Sequence, residues 1–293
     1  MMVPCMTCDL CGGLGNQLFQ IFVTISYAIK YGYPFRFIQL DTSPGCTFRV
    51  TYWNTFLCAL KPYLIPPPLI SDPDHKLHCI LETNQSVFRE FDLSLSTLPE
   101  NCHWIQFRGY FQSYVYFQER QKTIFEFLQI QTRRETFQKK LSSTHLDNVV
   151  AMHFRRGDFK HLQHIHPILK TKYYINCLHS LLSKYASSFQ VLYFFEKEDR
   201  EGIHSTIQEL QQEFPSLVFT PTDHTEFEDW EEMLWMSLCH YMIIANSTFS
   251  WWAAYFNDRN DKIVYYPSSP WFLGQTLAPQ EFCPPEWIPM DIL

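Results

Sequence analysis

Two arginines, Arg155 and Arg156, stand in the run His153-Phe154-Arg155-Arg156-Gly157-Asp158, directly after the apolar stretch Val149-Val150-Ala151-Met152. That places two guanidinium groups at the mouth of what reads as a buried strand. Further on, Asn246-Ser247-Thr248-Phe249-Ser250-Trp251-Trp252 follows a second short apolar run, Met242 to Ala245. Guanidinium grips phosphate oxygens bidentately, and the free N–H groups that open a helix favour anions. Two strand ends, one with paired Arg and one with hydroxyls at a helix start, therefore suit a diphosphate cradle. Alone, the Arg pair equally suits a solvated charge or an ion pair with Asp158; the second run tips the reading towards the cradle.

The elements that must position these residues come from a chain of 293 residues, enough for one large domain or two ordinary ones. Hydrophobic residues make up 46% and charged residues 18%, which is a globular balance. Aromatics reach 17%, which suits a heavily packed core more than a sugar-binding surface. The formal net charge of −7 leaves no basic excess, so no nucleic-acid partner is expected and any phosphate site must be local. The longest apolar segment, Leu18 to Ile29, falls well short of the roughly twenty residues of a membrane span and is interrupted by Gln20, Thr24 and Ser26. No signal peptide is visible before Leu10, so the expectation is a soluble, cytoplasmic chain, or a Golgi resident if a native N-terminal anchor has been removed. Of ten Cys, only Cys5, Cys8 and Cys11 cluster; this is half a zinc signature without a partner, and small apolar residues near a first strand are the better reading.

Gly12-Gly13-Leu14-Gly15-Asn16-Gln17 reads as a turn into a helix whose apolar positions, Leu18, Phe22, Ile25 and Ile29, recur at helical spacing. It is neither a Walker loop nor a dinucleotide fingerprint. From Asp41 to Pro99 the prolines predict loops and short helices rather than a large sheet. A helix is expected over Tyr116–Leu128 and a linker over Thr132–Asp147. The second half then alternates: strands at Val149–Phe154, Gln190–Phe195, Leu217–Thr220, Met242–Ala245 and Ile263–Tyr266, with helices at Lys172–Tyr185, Arg200–Phe214, Trp230–His240 and Ser250–Phe256. Such alternation predicts a mostly parallel sheet covered on both faces, with ligands at the carboxyl ends of the strands.

These blocks resemble those of the alpha-1,2-fucosyltransferases, glycosyltransferase family 11. The resemblance rests on Gly12 to Gln20, on Gly109-Tyr110-Phe111-Gln112-Ser113 and on His153 to Asp158. It continues through His166-Pro167-x-Leu169 with Tyr173-Tyr174, Met236-Ser237-x-Cys239, Ile244 to Trp252, and Pro270-Trp271-Phe272. It implies an α/β, GT-B-like fold: two Rossmann-type halves, a mostly parallel sheet in each and a cleft between them. Residues 1–140 would form the acceptor-side domain and residues 148–293 the GDP-fucose-binding, Rossmann-like domain. The implied reaction is inverting transfer of L-fucose from GDP-fucose to the 2-hydroxyl of a terminal beta-galactoside on a glycan, with no metal and no other cofactor. Oligomeric state is not implied.

On that resemblance, Arg155 and Arg156 hold the donor diphosphate and offset its growing charge. Asp158 either deprotonates the acceptor or, preferably, orients Arg155 and His153; His153 is a packed, hydrogen-bonding residue. Ser247, Thr248 and Ser250 donate to phosphates beside Asn246, Phe249 packs by the guanine, and Trp251 and Trp252 belong to the core. Gly13 and Asn16 face the donor from the other half; Asn16 equally suits a helix N-cap. Glu232 stands where the family carries Asp and would accept the guanine N–H donors, unless the run Glu228 to Glu232 is a solvated face. Glu196-Lys197-Glu198-Asp199 departs from the family's Ser-Asp-Asp. Two further readings stay open: a sugar- or nucleotide-binding pseudoenzyme, and a transferase with another donor or a protein acceptor. The sequons at Asn84 and Asn246 are weak.

Overall fold

The computed structural model of the protein describes residues 3–43, 49–67, 76–82, 88–141, 146–161, 163–164, 166–185, 188–222, 226–268 and 279–292. The chain divides into two units: 1–131 with 280–283, and 132–279 with 284–293.

In the first unit, β1 (Cys5–Cys8) leads through the glycine turn into α1 (Leu14–Tyr31). Gly13 is the N-cap, and Gly32 ends the helix in the left-handed region at φ 68°, its N–H reaching the carbonyls of Ala28 and Ile29. Short strands follow: β2 (Phe37–Ile38), β3 (Thr42–Ser43), β4 (Arg49–Val50) and β5 (Leu64–Ile65). The main sheet adds β6 (Lys76–Leu81) and β7 (Cys102–Arg108) in the order β1-β7-β6, all parallel. A bridge from Met6 to Phe35 carries the sheet towards β2, which pairs in parallel with β5. The loop expectation for Asp41–Pro99 thus misses β6, a six-residue strand bonded along its length to β7. The expected helix at Tyr116–Leu128 resolves into single 3-10 turns followed by α2 (Gln121–Leu128). Aromatic rings fill this core: Phe19, Phe22, Phe107, Phe111 and Phe117 are all fully buried.

The second unit opens with α3 (Ile130–Lys140), a helix where Thr132–Asp147 was expected to be a linker. Its Arg134 explains the difference. That side chain is buried, donates to Ser237 Oγ and O at 3.2 Å each, and pairs with Asp258 at 2.6 Å. The polar composition of the segment hid a structural arginine. Then come β8 (Val149–His153), α4 (Thr171–Lys184), β9 (Gln190–Phe194), α5 (Arg200–Glu213), β10 (Val218–Pro221), α6 (Asp229–Leu238), β11 (Tyr241–Ile243), α7 (Thr248–Phe256), β12 (Ile263–Pro267) and β13 (Ile288–Met290). All six strands are parallel, in the order β10-β9-β8-β11-β12-β13. Every residue of β8 is buried, as expected of a central strand covered on both faces. In strand sequence this is 3-2-1-4-5-6, the Rossmann order, whose direction reverses between β8 and β11. Among the described residues, no helix is long and apolar enough to cross a membrane.

Candidate active site

The strand order reverses between β8 and β11, and both chemistry-bearing runs fall at the carboxyl ends of these two strands, where ligands of such sheets bind. His153 ends β8, and Ser247 caps α7 just beyond β11, its Oγ accepting from Phe249 N at 3.3 Å. Two adjacent tyrosines of α4 fix the strand ends. Tyr173 donates to Ile244 O at 2.7 Å, and Tyr174 donates to His153 O at 3.1 Å. Asn246 Nδ2 donates to Pro167 O at 2.8 Å, which ties the His166–Leu169 segment to the same edge. The Oδ1 of Asn246 and the Nδ1 of His153 are buried without a hydrogen-bond partner among the described residues. Buried polar atoms without partners are rare, and these two stand at neighbouring strand ends.

Arg155 and Arg156 leave β8 in different directions. Arg155 pairs with Glu196 and lies over the Phe159 ring, 5.2 Å from its centroid. Arg156 donates to Gly202 O and, at 2.9 Å, to Thr206 Oγ1, both on α5. The following 3-10 turn, Gly157–His161, is anchored by Asp199, which is fully buried. Asp199 Oδ2 accepts from Gly157 N at 2.6 Å, and its Oδ1 lies 2.5 Å from Lys160 Nζ. Glu196 and Asp199, at the departure Glu196–Asp199, therefore clamp the arginine loop, Glu196 through an ion pair with Arg155. The Asp158 side chain, expected to orient that loop, lies outside the described residues. The signal for the clamp was present: carboxylates just after a strand that neighbours β8.

His153 is buried, and that burial, with Arg155 nearby, pushes its pKa down to about 3, so the ring is neutral. Its ring centroid is 5.7 Å from that of Phe249, which brings those two predicted residues together. Thr248 opens α7, part-exposed. Ser250 is placed otherwise than expected: it is fully buried and donates back to Ser247 O at 3.3 Å, a bond within its own helix start rather than towards a phosphate. Trp251 and Trp252 are fully buried in the core.

Glu232 sits in the first turn of α6, which is opened by a capping box between Glu228 and Glu231. The solvated-face reading fails for it: Glu232 is only 8% exposed, while Glu228 and Asp229 are exposed. Burial first, then the Asp229 charge, push its pKa up to about 8.

In the first unit the two glycine motifs are stitched together by amides. Asn16 Oδ1 accepts from Gln112 Nε2 at 3.1 Å, so Asn16 joins the Gly12 turn to the Gly109–Ser113 loop and is not the N-cap. Gly12 needs its glycine at φ 77°, because a Cβ there would press on the Asn16 amide. Gln20 is buried; it accepts from Cys11 N at 3.0 Å and donates to Gly109 O at 2.9 Å. Glu82 accepts from Tyr110 N at 2.6 Å and Phe111 N at 2.9 Å. At Gly13 a Cβ would meet nothing within 4 Å, so its backbone faces open space. Sequence reading also passed over Asp9, just beyond β1, which pairs with Arg108 at 3.0 Å and whose pKa is raised by burial against that pairing. Among the described residues no group of three or more His, Cys, Asp or Glu is placed to hold an ion.

A Rossmann-ordered unit joined along the chain to a second α/β unit defines the GT-B fold. The fold is similar to that of a mutant of Arabidopsis thaliana FUT1 solved with GDP, at a TM-score of 0.52 and 12% identity over 92% of this chain and 71% of that one. It is similar also to POFUT1 solved with GDP, at a TM-score of 0.50 and 11% identity over 90% and 98%. The chain belongs to glycosyl transferase family 11, which it matches over residues 67–290. It is 25% identical to an alpha-1,2-colitosyltransferase of Escherichia coli over 96% of this chain and 97% of that protein. It is 32% identical to the O-antigen biosynthesis glycosyltransferase WbnK of Escherichia coli over 43% and 40%.

Proposed function

We propose that this glycosyltransferase moves L-fucose from GDP-fucose to the 2-hydroxyl of a terminal beta-galactoside, with inversion and without a metal ion. The observation that supports the reading is that Arg155, Arg156 and the Ser247-capped start of α7 all follow the carboxyl ends of β8 and β11, the two strands flanking the switch point of the second unit. As the bond from the anomeric carbon to the donor phosphate lengthens, negative charge grows on GDP. Preorganised cations and N–H donors aimed at it lower the barrier. The galactose oxygen attacks the opposite face of the sugar as the bond to the phosphate breaks and GDP leaves, and the hydroxyl proton passes to a general base, for which Asp158 is the candidate. Buried Glu232 suits the guanine, whose ring N–H and exocyclic amine offer two donors to one carboxylate.

A second reading, that the transferred sugar is colitosyl, is favoured by the full-length similarity to the Escherichia coli alpha-1,2-colitosyltransferase. A screen of donors against acceptors decides between them: GDP-fucose, a colitosyl donor and UDP-sugars, each with lactose and related galactosides. GDP-fucose with a galactoside is the expected productive pair. Turnover only with a colitosyl donor installs the second reading. GDP binding with no turnover of any pair makes the chain a nucleotide-binding pseudoenzyme.

A further inference from the structure

The first unit holds a cavity of ≈ 490 Å³ lined by Gln39, Asp41, Thr51, Trp53, Asn54 and Lys61 among others. We propose that this cavity binds a sugar ring of the acceptor glycan beyond the galactose that reacts. The proposal rests on the transferase reading and adds that the acceptor is an oligosaccharide gripped at two points.

Placement comes first. Gln39 follows β2, which runs parallel to β5 and is joined to β1 through the Met6–Phe35 bridge. The cavity lining thus runs from Gln39, just past β2, to Lys61 and to Leu64, the first residue of β5. Its walls are braced. Gln39 N donates to Ile65 O at 2.8 Å and Thr51 N donates to Asp41 O at 3.0 Å. Gln17 Nε2 donates to both Val50 O, at 2.9 Å, and Gly12 O, at 3.0 Å. One buried amide therefore couples a cavity wall to the glycine turn that carries Gly13 and Asn16.

The lining chemistry selects the ligand. The volume lies within the roughly 300–1,000 Å³ of small-ligand sites, but the wall is mostly polar where such sites are usually apolar. One carboxylate, two carboxamides, an ammonium and a hydroxyl match a polyhydroxylated ring, whose hydroxyls donate and accept at once. Trp53 adds a buried indole to the wall.

The test compares a monosaccharide acceptor, methyl beta-galactoside, with lactose and longer galactose-terminated glycans. In the unaltered protein, KM falls as the acceptor lengthens. Asp41→Asn and Asn54→Ala, both at exposed residues, raise KM for the longer acceptors about tenfold, one lost hydrogen bond's worth, at near-constant kcat. They leave KM for methyl beta-galactoside and the affinity for GDP unchanged. Equal shifts for short and long acceptors, or none, overturn the subsite. If no donor is turned over at all, the transferase reading fails by itself, and the subsite is judged by binding. Lactose and longer glycans then shift the Trp53 indole N–H resonance, assigned with Trp53→Phe, in a saturable way that Asp41→Asn weakens. No saturable shift overturns the proposal.

Discussion

At the scale of single residues, the charges at the crevice make separable predictions. Arg155→Ala and Arg156→Ala lower kcat by roughly 10²–10³, the loss measured for one donor to a developing oxyanion. The Lys variants are also impaired, because an ammonium lacks the planar fork. The two sites differ in a second readout. Arg156 donates to Gly202 O and Thr206 Oγ1 on α5, so its truncation also lowers the denaturation midpoint by loosening β8 from that helix, whereas truncation of Arg155 frees the Glu196 carboxylate, itself about a third exposed, to solvent and leaves the midpoint nearer normal. Near-normal turnover in both Ala variants removes the pair from the donor site.

Glu232 carries a pH prediction. With its pKa pushed up to about 8, the free protein holds it protonated at neutral pH. Guanine needs the carboxylate, so binding releases a proton. GDP affinity then rises about tenfold per pH unit below 8 and flattens above. The stability term has the opposite sense: the folded state holds this proton more tightly than the unfolded chain does. Its contribution is greatest below about pH 4 and declines as pH climbs towards 8. In Glu232→Gln both dependences vanish and GDP binds weakly, while Glu232→Asp keeps a guanine preference. Calorimetry across that range reads all three, and an unchanged dissociation constant for Glu232→Gln confines Glu232 to packing.

At the scale of elements, the decisive contact joins two loops that the sequence keeps far apart. The register pairs His153 with Phe194, so two residues further along Arg155 comes opposite Glu196. Behind them, buried Asp199 at the start of α5 holds the turn that begins at Gly157. Asp199→Ala strips the acceptor from Gly157 N and the partner from Lys160, costing about 1–3 kcal/mol of stability, and weakens GDP as the arginine loop loosens. Gly157→Ala drives a methyl into the Glu196 carboxylate and breaks its pairing with Arg155, so transfer falls more than stability does. Chemical denaturation and GDP calorimetry on both variants check this, and GDP binding untouched in both separates the loop from the nucleotide.

The same elements show what was legible in the sequence. The strands and helices of the second half could be read because each strand is a short apolar run between amphipathic segments, and the arginines and Ser247 stood at run ends. β7 could not be read, since His103 and Gln106 interrupt it; Gln106 is buried because it donates to Asp9 across the sheet. Arg134 made α3 look like a linker. The clamp by Glu196 and Asp199 required knowing that β9 lies beside β8, which is a property of strand order and not of any local pattern. Ser250 was misplaced because a helix start shows which hydroxyls are near an anion site, not which of them turn back into their own helix.

At the scale of the whole molecule, a net charge of −7 sets the terms for binding a dianionic diphosphate. The field of the chain as a whole opposes the donor, so attraction has to be local, and salt screens it less the more the crevice excludes water. A divalent ion would be one way to supply that positive charge, through ligands such as paired carboxylates at a strand end. The carboxylates found beside the crevice are engaged otherwise. Glu196 pairs with Arg155, and Asp199 is buried against Gly157 and Lys160. Their negative charge is already matched by Arg155 and Lys160, which leaves Arg156, whose bonds among the described residues go to the neutral acceptors Gly202 O and Thr206 Oγ1, and the α7 N–H groups as the positive partners of the donor. Transfer should therefore persist at saturating chelator, and added Mg²⁺ or Mn²⁺ should change kcat by less than about twofold, far from the several kcal/mol a catalytic metal contributes. Strict loss of activity on chelation, restored by Mn²⁺, would overturn this assignment and turn Glu196 or Asp158 into a candidate ligand, a change that Glu196→Gln would then expose as a loss of metal affinity.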